Sequence, residues 1–218
     1  MSAPRIALIH ALTHSVAPIN EAMERDWPQA IRMNLLDDSL SADLARSGQG
    51  LDEAMHARFE VLTAYAESTG VQGILFTCSA FGPCIEAAAA RRLHMPVLKP
   101  NEAMIDEAVS QANGRPIGLL ATFGPTLQSM PPEFPEGCVV VPGLAEGALA
   151  ALNEGDPQRH DALAVQAAMR LREQGCALIA LAQFSLARAA EAVALATGLP
   201  VLTTPGSAIR ALRRRLAV

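Results

Sequence analysis

Cys78 is the residue in this chain whose setting most favours chemistry. It follows the apolar run 73–76, which is typical of a buried strand, and it precedes Ser79, Ala80 and an Ala-rich segment that is typical of a helix. A thiol between a strand end and a helix start lies near free backbone N–H groups and the positive end of the helix dipole. That position favours the thiolate and can also hold an anionic substrate. We therefore predict that Cys78 is catalytic.

A cysteine in an apolar strand can also be a small packing residue, and that alternative applies to the other three cysteines. Cys84, Cys138 and Cys176 lack the strand-end setting, so we predict that they only pack. None of the four belongs to a C-x-x-C pair, and their spacing matches neither a zinc site nor a disulfide framework. A reducing, cytoplasmic setting is the simplest expectation.

Composition and charge narrow the class of protein. The chain has 218 residues, half of them apolar, which is enough for a substantial core in one large domain or two lobes. A formal net charge of −5 argues against a nucleic-acid partner. No stretch has the length of a membrane span, and the N-terminus shows no signal-peptide pattern. We expect a cytoplasmic protein with neither nucleic acid nor membrane as a partner.

Short apolar runs alternate with longer segments of helical period. The predicted strands are Arg5–Ile9, Ile31–Leu35, Val71–Phe76, Val97–Leu98, Ile117–Ala121, Val139–Val141, Ala177–Leu181 and Val201–Leu202. The predicted helices include Leu51–Ser68, Cys84–Leu93, His160–Gln174 and Ser207–Leu216, the last of them capped by Ser207. This alternation predicts an α/β fold with mainly parallel sheets flanked by helices.

The two halves of the chain resemble each other. The segments that correspond are Ile6–Ile9 with Ile117–Leu120, Leu75–Phe81 with Ile179–Ser185, and Met95–Leu98 with Leu199–Leu202. We predict two pseudo-symmetric lobes, residues 1–100 with the C-terminal helix 206–218 packing back, and residues 101–205. Ligands of parallel α/β sheets bind beyond the carboxyl ends of the strands, so the active site is expected in the cleft between the lobes.

The residues that follow the predicted strands are mostly small and uncharged. The candidate site residues are Cys78, Gln183, His10, Ser79, Ala80, Thr122, Thr126, Phe184 and Ser185. Hydroxyls and amides of this kind suit a small anion or carbonyl compound that is bound by hydrogen bonds beside one thiol. For several residues a plainer role is also open, since His10 can be a hydrogen-bonded core histidine and Phe184 can fill a core gap. A metal site would need His10, His14 and Cys78 to converge, and no metal is predicted.

These residues give the chain a family resemblance. It resembles the aspartate/glutamate racemase superfamily, which includes hydantoin racemases, maleate isomerases and arylmalonate decarboxylases. The segments that carry the likeness are Phe76–Ser79, Gly118–Thr122, Gly175–Gln183 and Leu199–Leu202. The resemblance implies two lobes with the active site between them and no cofactor. It also implies, for the racemases of the group, one cysteine per lobe, which remove and return a proton on opposite faces of the substrate carbon.

The chain departs from that pattern in its second lobe. Cys78 occupies the first-lobe cysteine position, and the second falls on Gln183 by the family match or on Ala182 by the spacing of the prolines. Neither can transfer a proton as a thiol does. Cys176 lies seven residues before Gln183, which is about 23 Å along a strand. A mechanism that uses a single thiol is still possible, since the resemblance extends to the arylmalonate decarboxylases, which use one cysteine.

We therefore predict a cofactor-independent enzyme of the racemase/isomerase or decarboxylase class that acts on a small carboxylate or related carbonyl compound. Cys78 is the acid/base or nucleophile, and Gln183 orients or polarises the substrate; the remaining candidates bind it. One alternative is a non-catalytic small-molecule-binding member of the same fold. Another is a cysteine-dependent hydrolase with His10 as base. The sequence leaves the substrate and the oligomeric state open, with a dimer as the expectation if the chain self-associates.

Overall fold

A computed structural model describes residues 3–47 and 50–217. The strands are β1 (Arg5–His10), β2 (Ile31–Leu36), β3 (Gly73–Phe76), β4 (Val97–Leu98), β5 (Ile117–Ala121), β6 (Val140–Leu144), β7 (Leu178–Leu181) and β8 (Val201–Thr203). The helices are α1 (Val16–Asp26), α2 (Ser39–Ser47), α3 (Glu53–Ser68), α4 (Gly82–Ala90), α5 (Glu102–Ala112), α6 (Gly124–Ser129), α7 (Ala148–Asn153), α8 (Pro157–Glu173), α9 (Ala190–Thr197) and α10 (Thr204–Arg215).

The strands form two parallel sheets of four strands each. Their orders are β2-β1-β3-β4 and β6-β5-β7-β8, so the second sheet repeats the topology of the first. In the centre of the first sheet Ile6 lies opposite Gly73, and in the second Ile117 lies opposite Leu178. The predicted α/β fold with two parallel sheets flanked by helices is confirmed, and a strand occurs at each of the eight predicted places.

The chain divides into two compact units. Unit 1 comprises Met1–Pro100 and Ala208–Val218, and unit 2 comprises Asn101–Ser207. Among the described residues, no helix is both long enough and apolar enough to span a bilayer.

The core of unit 1 forms where α3 packs on β1 and β3. Phe59 of α3 lies 5.3 Å from Phe76 and 4.9 Å from Phe81 between ring centroids, and all three are buried. Helix α3 begins at a defined place because the Asp52 side chain accepts a hydrogen bond from the Met55 N–H at 2.8 Å. This packing fixes the carboxyl end of β3, where the Cys78 segment begins.

The core of unit 2 depends on two glycines that let α8 approach the sheet closely. A Cβ atom at Gly143 would lie 2.7 Å from Leu171 Cδ1, and one at Gly118 would lie 3.2 Å from the same atom. Any larger residue would therefore push α8 away from β5 and β6. Helix α8 therefore packs closely on β5, the strand that ends at Ala121 just before Thr122.

The start of the last helix differs from the prediction. Helix α10 begins at Thr204, so the prediction that Ser207 caps it is wrong. Ser207 lies within the first turn, and its hydroxyl donates to Glu107 Oε2 at 2.7 Å. The Thr204 hydroxyl donates to the carbonyl of Leu181 at 2.9 Å, which ties the helix start to the end of β7. The Ser207 hydroxyl, which we predicted to cap the helix, makes a tertiary contact instead.

Candidate active site

Cys78 lies just beyond the carboxyl end of β3 and is half-buried. Its backbone is extended (φ −128°, ψ 122°), and it begins a single 3-10 turn, Ser79–Phe81, which separates it from α4. The predicted helix start at Cys84 is therefore wrong, since α4 begins at Gly82 with Phe81 as its N-cap residue. The thiol lies at a turn rather than at the first turn of an α-helix.

The electrostatic setting of this thiol is the reverse of the sequence prediction. Burial raises the pKa of Cys78 above its ordinary value, and hydrogen bonds with the Ala80 N–H and the Ser41 side chain lower it only in part. The thiol form is therefore favoured at neutral pH, because burial disfavours the charged thiolate. The sulfur carries its proton, which suits a proton donor better than a nucleophile.

His10, at the end of β1, is fully buried in a polar network. Its Nε2 lies 3.0 Å from Asn34 Oδ1, and its Nδ1 lies 2.8 Å from the Thr77 hydroxyl. The Ser15 hydroxyl lies 2.8 Å from that of Thr77 and donates to the Leu12 carbonyl at 2.7 Å. Burial lowers the pKa of His10, and the hydrogen bond with Asn34 offsets this in part. The ring is neutral at pH 7: Nε2 donates to Asn34, and Nδ1 accepts from Thr77.

This network lies on the other face of the sheet from the thiol. Ile9 and Ala11 belong to the same core cluster as Phe76, against which Cys78 packs. His10 lies between Ile9 and Ala11 in the sequence. Because successive side chains of a strand point to opposite faces of the sheet, the His10 ring points away from this cluster. His10 is therefore a hydrogen-bonded histidine in the core beneath α1, which is the plainer of the two roles considered from the sequence. It does not lie beside Cys78 as a base.

In unit 2, Gln183 lies just beyond the carboxyl end of β7 and begins the 3-10 turn Phe184–Ala189. Its Oε1 accepts two hydrogen bonds from Thr122, one from the backbone N–H at 2.6 Å and one from the hydroxyl at 2.9 Å. Because a backbone N–H can only donate, the atom facing it must be the amide oxygen. The Gln183 Nε2 group is therefore turned away from Thr122, and it has no recorded acceptor among the described residues.

The two strand-end residues are equivalent in the repeated topology. Gly73 opens β3 and Leu178 opens β7, which sets an offset of 105 positions, and Cys78 then corresponds to Gln183. Both have extended backbones and both begin 3-10 turns. Ala182, the other candidate from the sequence, corresponds to Thr77 and is buried in the core of unit 2.

The remaining candidates divide by exposure. Ser79, Thr126 and Ser185 are half-buried and Ala80 is exposed, so all four are reachable near the strand ends. Phe184 is 5% exposed and therefore fills the core. Thr122 is also buried, and its hydroxyl is engaged by Gln183.

Sequence reasoning missed two contributors, Ser41 and Thr77. Ser41 comes from the short helix α2; it is one of the two groups that lower the pKa of Cys78, and its hydroxyl donates to the Ala11 carbonyl at 3.0 Å. Thr77 directly follows β3, and its hydrogen-bond partner His10 is 67 positions away in the sequence. In the described part of the chain, no group of three or more His, Cys, Asp or Glu side chains is arranged to hold a metal ion.

Residues 11–212 match the family model of the Asp/Glu/Hydantoin racemases. The match spans most of the chain, including both strand-end sites, and the protein belongs to this family. Comparison of the sequence with functionally curated proteins gives no match.

Solved structures of similar fold agree with this assignment. The glutamate racemase isoform RacE1 from Bacillus anthracis superposes with a TM-score of 0.72 at 14% identity, over 100% of this chain and 83% of its own. The allantoin racemase from Klebsiella pneumoniae gives 0.67 at 21% identity, over 98% and 88%. A double mutant of arylmalonate decarboxylase in a liganded form gives 0.63 at 16% identity, over 97% and 92%. At these identities the likeness establishes the fold.

Proposed function

We propose that this protein is a cofactor-independent enzyme of the racemase/isomerase or decarboxylase class that uses one thiol, Cys78, on a small carboxylate or related carbonyl compound. The observation that carries the proposal is the pair of equivalent positions at the two strand ends. One holds a protonated thiol, and the other holds an amide whose oxygen is fixed by Thr122. The two groups are chemically complementary, since one supplies a proton and the other a hydrogen bond.

The proposed chemistry passes through a carbanion next to a carbonyl group. In a decarboxylation the C–C bond to the leaving carbon dioxide breaks and its electron pair stays on carbon, delocalised onto oxygen as an enolate. In the racemase or isomerase alternative the thiolate form of Cys78 takes the proton from carbon, which gives the same enolate and the S–H form of the thiol. The Gln183 Nε2 group donates a hydrogen bond to that oxygen, where negative charge develops. The S–H bond of Cys78 then breaks, its proton forms the new C–H bond, and the sulfur is left as a thiolate. This requires the Cys78 thiol and the Gln183 amide to act on one substrate, which is the arrangement that the family resemblance implies.

The protonation state of Cys78 supports an acid role in the resting enzyme. Burial raises the pKa of the thiol, so the proton is present at neutral pH. A nucleophile for covalent attack would instead need a lowered pKa. A cysteine hydrolase would also need a base at the thiol, and His10 projects from the opposite face of the sheet. These observations favour proton transfer over acyl transfer.

Other strand-end groups are proposed to bind the substrate carboxylate. Ser79 and Ser185 offer hydroxyl groups at the turns that Cys78 and Gln183 begin, and Thr126 offers one in the first turn of α6. The Ala80 N–H faces the sulfur and stabilises the thiolate after proton transfer. Thr122 acts through Gln183, and His10 and Phe184, being buried, act by positioning the segments around them.

The test is isotope exchange with a panel of substrates drawn from the similar proteins. Glutamate, allantoin and an arylmalonate are each incubated with the protein in D2O, with proton NMR to follow deuterium at the reactive carbon and product analysis to detect decarboxylation. We expect one of them to react, Cys78→Ala to abolish the reaction, and Cys176→Ala to retain it. Cys176 is buried at the opposite end of β7; if its variant unfolds, Cys138→Ala, a half-buried cysteine, serves as the control. Equal activity of the Cys78 and control variants would contradict the proposal.

A non-catalytic binding protein is the second candidate. Two observations favour it. The position equivalent to Cys78 holds an amide, Gln183, in place of a second thiol, and the raised pKa of Cys78 means that its thiol is not activated as a thiolate. Calorimetric titration separates the two functions. A compound that binds the native protein and Cys78→Ala equally, with no exchange of its carbon-bound proton, would establish binding alone.

A further inference from the structure

His160, in the first turn of α8, is a buried polar side chain that the proposed mechanism does not use. Its ring is fully buried, and Nδ1 lies 2.7 Å from Asp161 Oδ1. Because a carboxylate oxygen can only accept, Nδ1 carries the proton of this hydrogen bond. The other ring nitrogen, Nε2, is buried and has no hydrogen-bond partner among the described residues. A buried nitrogen without a partner lowers the stability of a fold, so a protein that keeps one has another use for the side chain.

Unit 1 forms the same architecture with an apolar residue at this place. Gly70 and Gly175, which follow α3 and α8, both have positive φ (76° and 82°) and are 105 positions apart, the offset that also relates β3 to β7. At that offset His160 corresponds to Met55, which is buried in the core of unit 1. The topology therefore does not require a histidine here, and the polar ring occurs in the unit that holds Gln183.

Asp161 connects this ring to the turn that Gln183 begins. The same Oδ1 atom accepts a hydrogen bond from Arg188 Nε at 2.9 Å, and Arg188 lies in the 3-10 turn Phe184–Ala189. Within that turn the Leu186 N–H donates to the Gln183 carbonyl at 3.1 Å. One carboxylate therefore joins the start of α8 to the turn, and the turn is bonded to the backbone of the residue that carries the amide.

We call the two contacts of Asp161, with His160 and with Arg188, the Asp161 bridge. The Asp161 and Arg188 side chains are 26% and 40% exposed, and an ion pair this exposed holds its partners only weakly when it stands alone. A carboxylate that also accepts from a buried ring is restricted to one orientation, so it presents a fixed oxygen to Arg188. The cost of burying His160 is thus offset by order in the turn.

We propose that His160 is a positioning residue for the proposed reaction, acting through the Asp161 bridge to hold the turn that presents the Gln183 amide. Thr122 fixes the amide oxygen, and the bridge fixes the backbone turn that follows it. Both are needed for Gln183 Nε2 to meet a developing oxyanion at hydrogen-bond distance. No proton moves along the bridge. The inference deepens the proposed function and rests on the role of Gln183 in it.

The test that needs no substrate is the side-chain amide signal of Gln183 in the NMR spectrum of protein labelled with 15N-glutamine, identified by its loss in Gln183→Ser. We expect this signal to shift and broaden in His160→Met, since the turn then samples several positions. Arg188→Met should have the same effect. Arg188→Lys keeps a donor for the carboxylate, so its signal should resemble that of the native protein more closely than the signal of Arg188→Met does.

Arg159→Met is the matched control in the same turn of α8. The Arg159 side chain is exposed and pairs with Glu154 at 4.0 Å, away from the Asp161 bridge. It should therefore leave the Gln183 signal unchanged. A native signal in His160→Met, or an equal change in Arg159→Met, would overturn the proposal even if Gln183 is essential for turnover.

Stability separates positioning from support of the fold. Methionine, the residue at this place in unit 1, removes the unpaired nitrogen, so the urea midpoint of His160→Met should stay the same or rise. A lower midpoint with an unchanged Gln183 signal would show that the ring only supports the fold. If His160→Met does not fold, Arg188→Met, a change at a partly exposed side chain, decides by the same signal.

Kinetics complete the test once a substrate is known. His160→Met should lower kcat by about tenfold to a hundredfold with little change in KM, because the amide is misplaced while the carboxylate contacts remain. Native kcat in this variant would overturn the positioning role. Lack of turnover with every substrate contradicts the proposed function alone, since the Gln183 signal is read without one.

Discussion

The carboxyl edges of the two sheets share a topology and differ in chemistry. Counting from the paired residues at the centre of each sheet places Ala121 where unit 1 has His10, and Ala182 where unit 1 has Thr77. Unit 1 thus buries a polar network under its strand ends, whereas unit 2 has two alanines there. Beyond the strands the contrast is between a thiol, Cys78, and an amide, Gln183.

This difference indicates that the two edges have separate tasks. Buried polar groups are costly unless they are fully paired, and unit 2 shows that the topology forms without them. The His10 network is therefore an addition to unit 1, and it fixes the segment that carries Cys78. In unit 2 the Thr122 contacts do the corresponding work by fixing Gln183. In the proposed function each edge supplies one group, a thiol or an amide, and the two groups differ in chemistry.

Gln183→Cys removes the contrast between the edges and should have the largest effect. It replaces the amide donor by a second thiol at the position equivalent to Cys78. Loss of one donor to a developing oxyanion lowers kcat by about 10² to 10³. The new thiol should in turn deliver protons from its own side, so that product formed from a prochiral substrate becomes racemic. Chiral chromatography of the product measures this directly.

The control for this change is Gln183→Ser, which has a side chain of similar size to cysteine without its acidity. It should lose activity to a similar extent and keep whatever enantiomeric excess the native protein gives. A racemic product from Gln183→Ser would show that loss of the amide alone scrambles the stereochemistry. In that case the racemic product of Gln183→Cys could not be assigned to proton delivery by the new thiol.

Thr122→Val should have a smaller effect on the same contrast. The substitution removes the hydroxyl that donates to Gln183 Oε1 at 2.9 Å and keeps the backbone N–H that donates at 2.6 Å. With one of two contacts left, the amide loses part of its orientation, and we expect kcat to fall by about tenfold. Thr122→Ser should restore most of the rate in steady-state assays.

Thr126→Val is the matched control, since Thr126 is a half-buried threonine in the same segment, and the hydrogen bonds to Gln183 Oε1 come from Thr122 instead. It should affect KM more than kcat if its hydroxyl binds the carboxylate. An equal fall of kcat in the Thr122 and Thr126 variants would show that Thr122 has no special relation to Gln183.

Much of this fold could be predicted from the sequence because its central strands are buried on both faces. β5 is a continuous apolar run with every residue buried, and such runs are readable without knowledge of their neighbours. The position of Cys78 at a strand end was readable for the same reason. The family resemblance placed the equivalent of Cys78 at Gln183, and the spacing of the prolines placed it at Ala182. The strand bounds now fix the offset between the two units at 105 positions, which selects Gln183.

The rest depended on contacts that join distant parts of the chain. Gln183 and Thr122 are 61 positions apart, and only the β5–β7 register brings them together. The protonation state of Cys78 was predicted wrongly because local position indicated the dipole, whereas burial depends on the packed core. The placement of α2 could not be found from spacing at all, since Arg58 of another helix binds its Asp43 side chain.

His10→Gln tests the network of unit 1 and should have the smallest effect on turnover. The substitution disturbs the hydrogen bonds to Thr77 and Asn34, and each buried group left unpaired costs roughly 1–3 kcal/mol in the free energy of unfolding. His14→Gln, an exposed histidine four residues away, should leave that free energy unchanged. Urea titrations at pH 7.5 measure both.

His10→Gln also tests how the free energy of unfolding depends on pH. Burial lowers the pKa of His10 below the 6.5 of an unfolded chain, so on acidification the unfolded state binds its proton first. The native protein therefore keeps this stability above pH 6.5 and loses it as the pH falls toward the folded pKa, and His10→Gln should lack that component. The difference in unfolding free energy between the two proteins should accordingly shrink between pH 7.5 and about pH 5. A constant difference over that range would mean that His10 does not titrate on unfolding, and the network would then be a rigid support without a pH-dependent role.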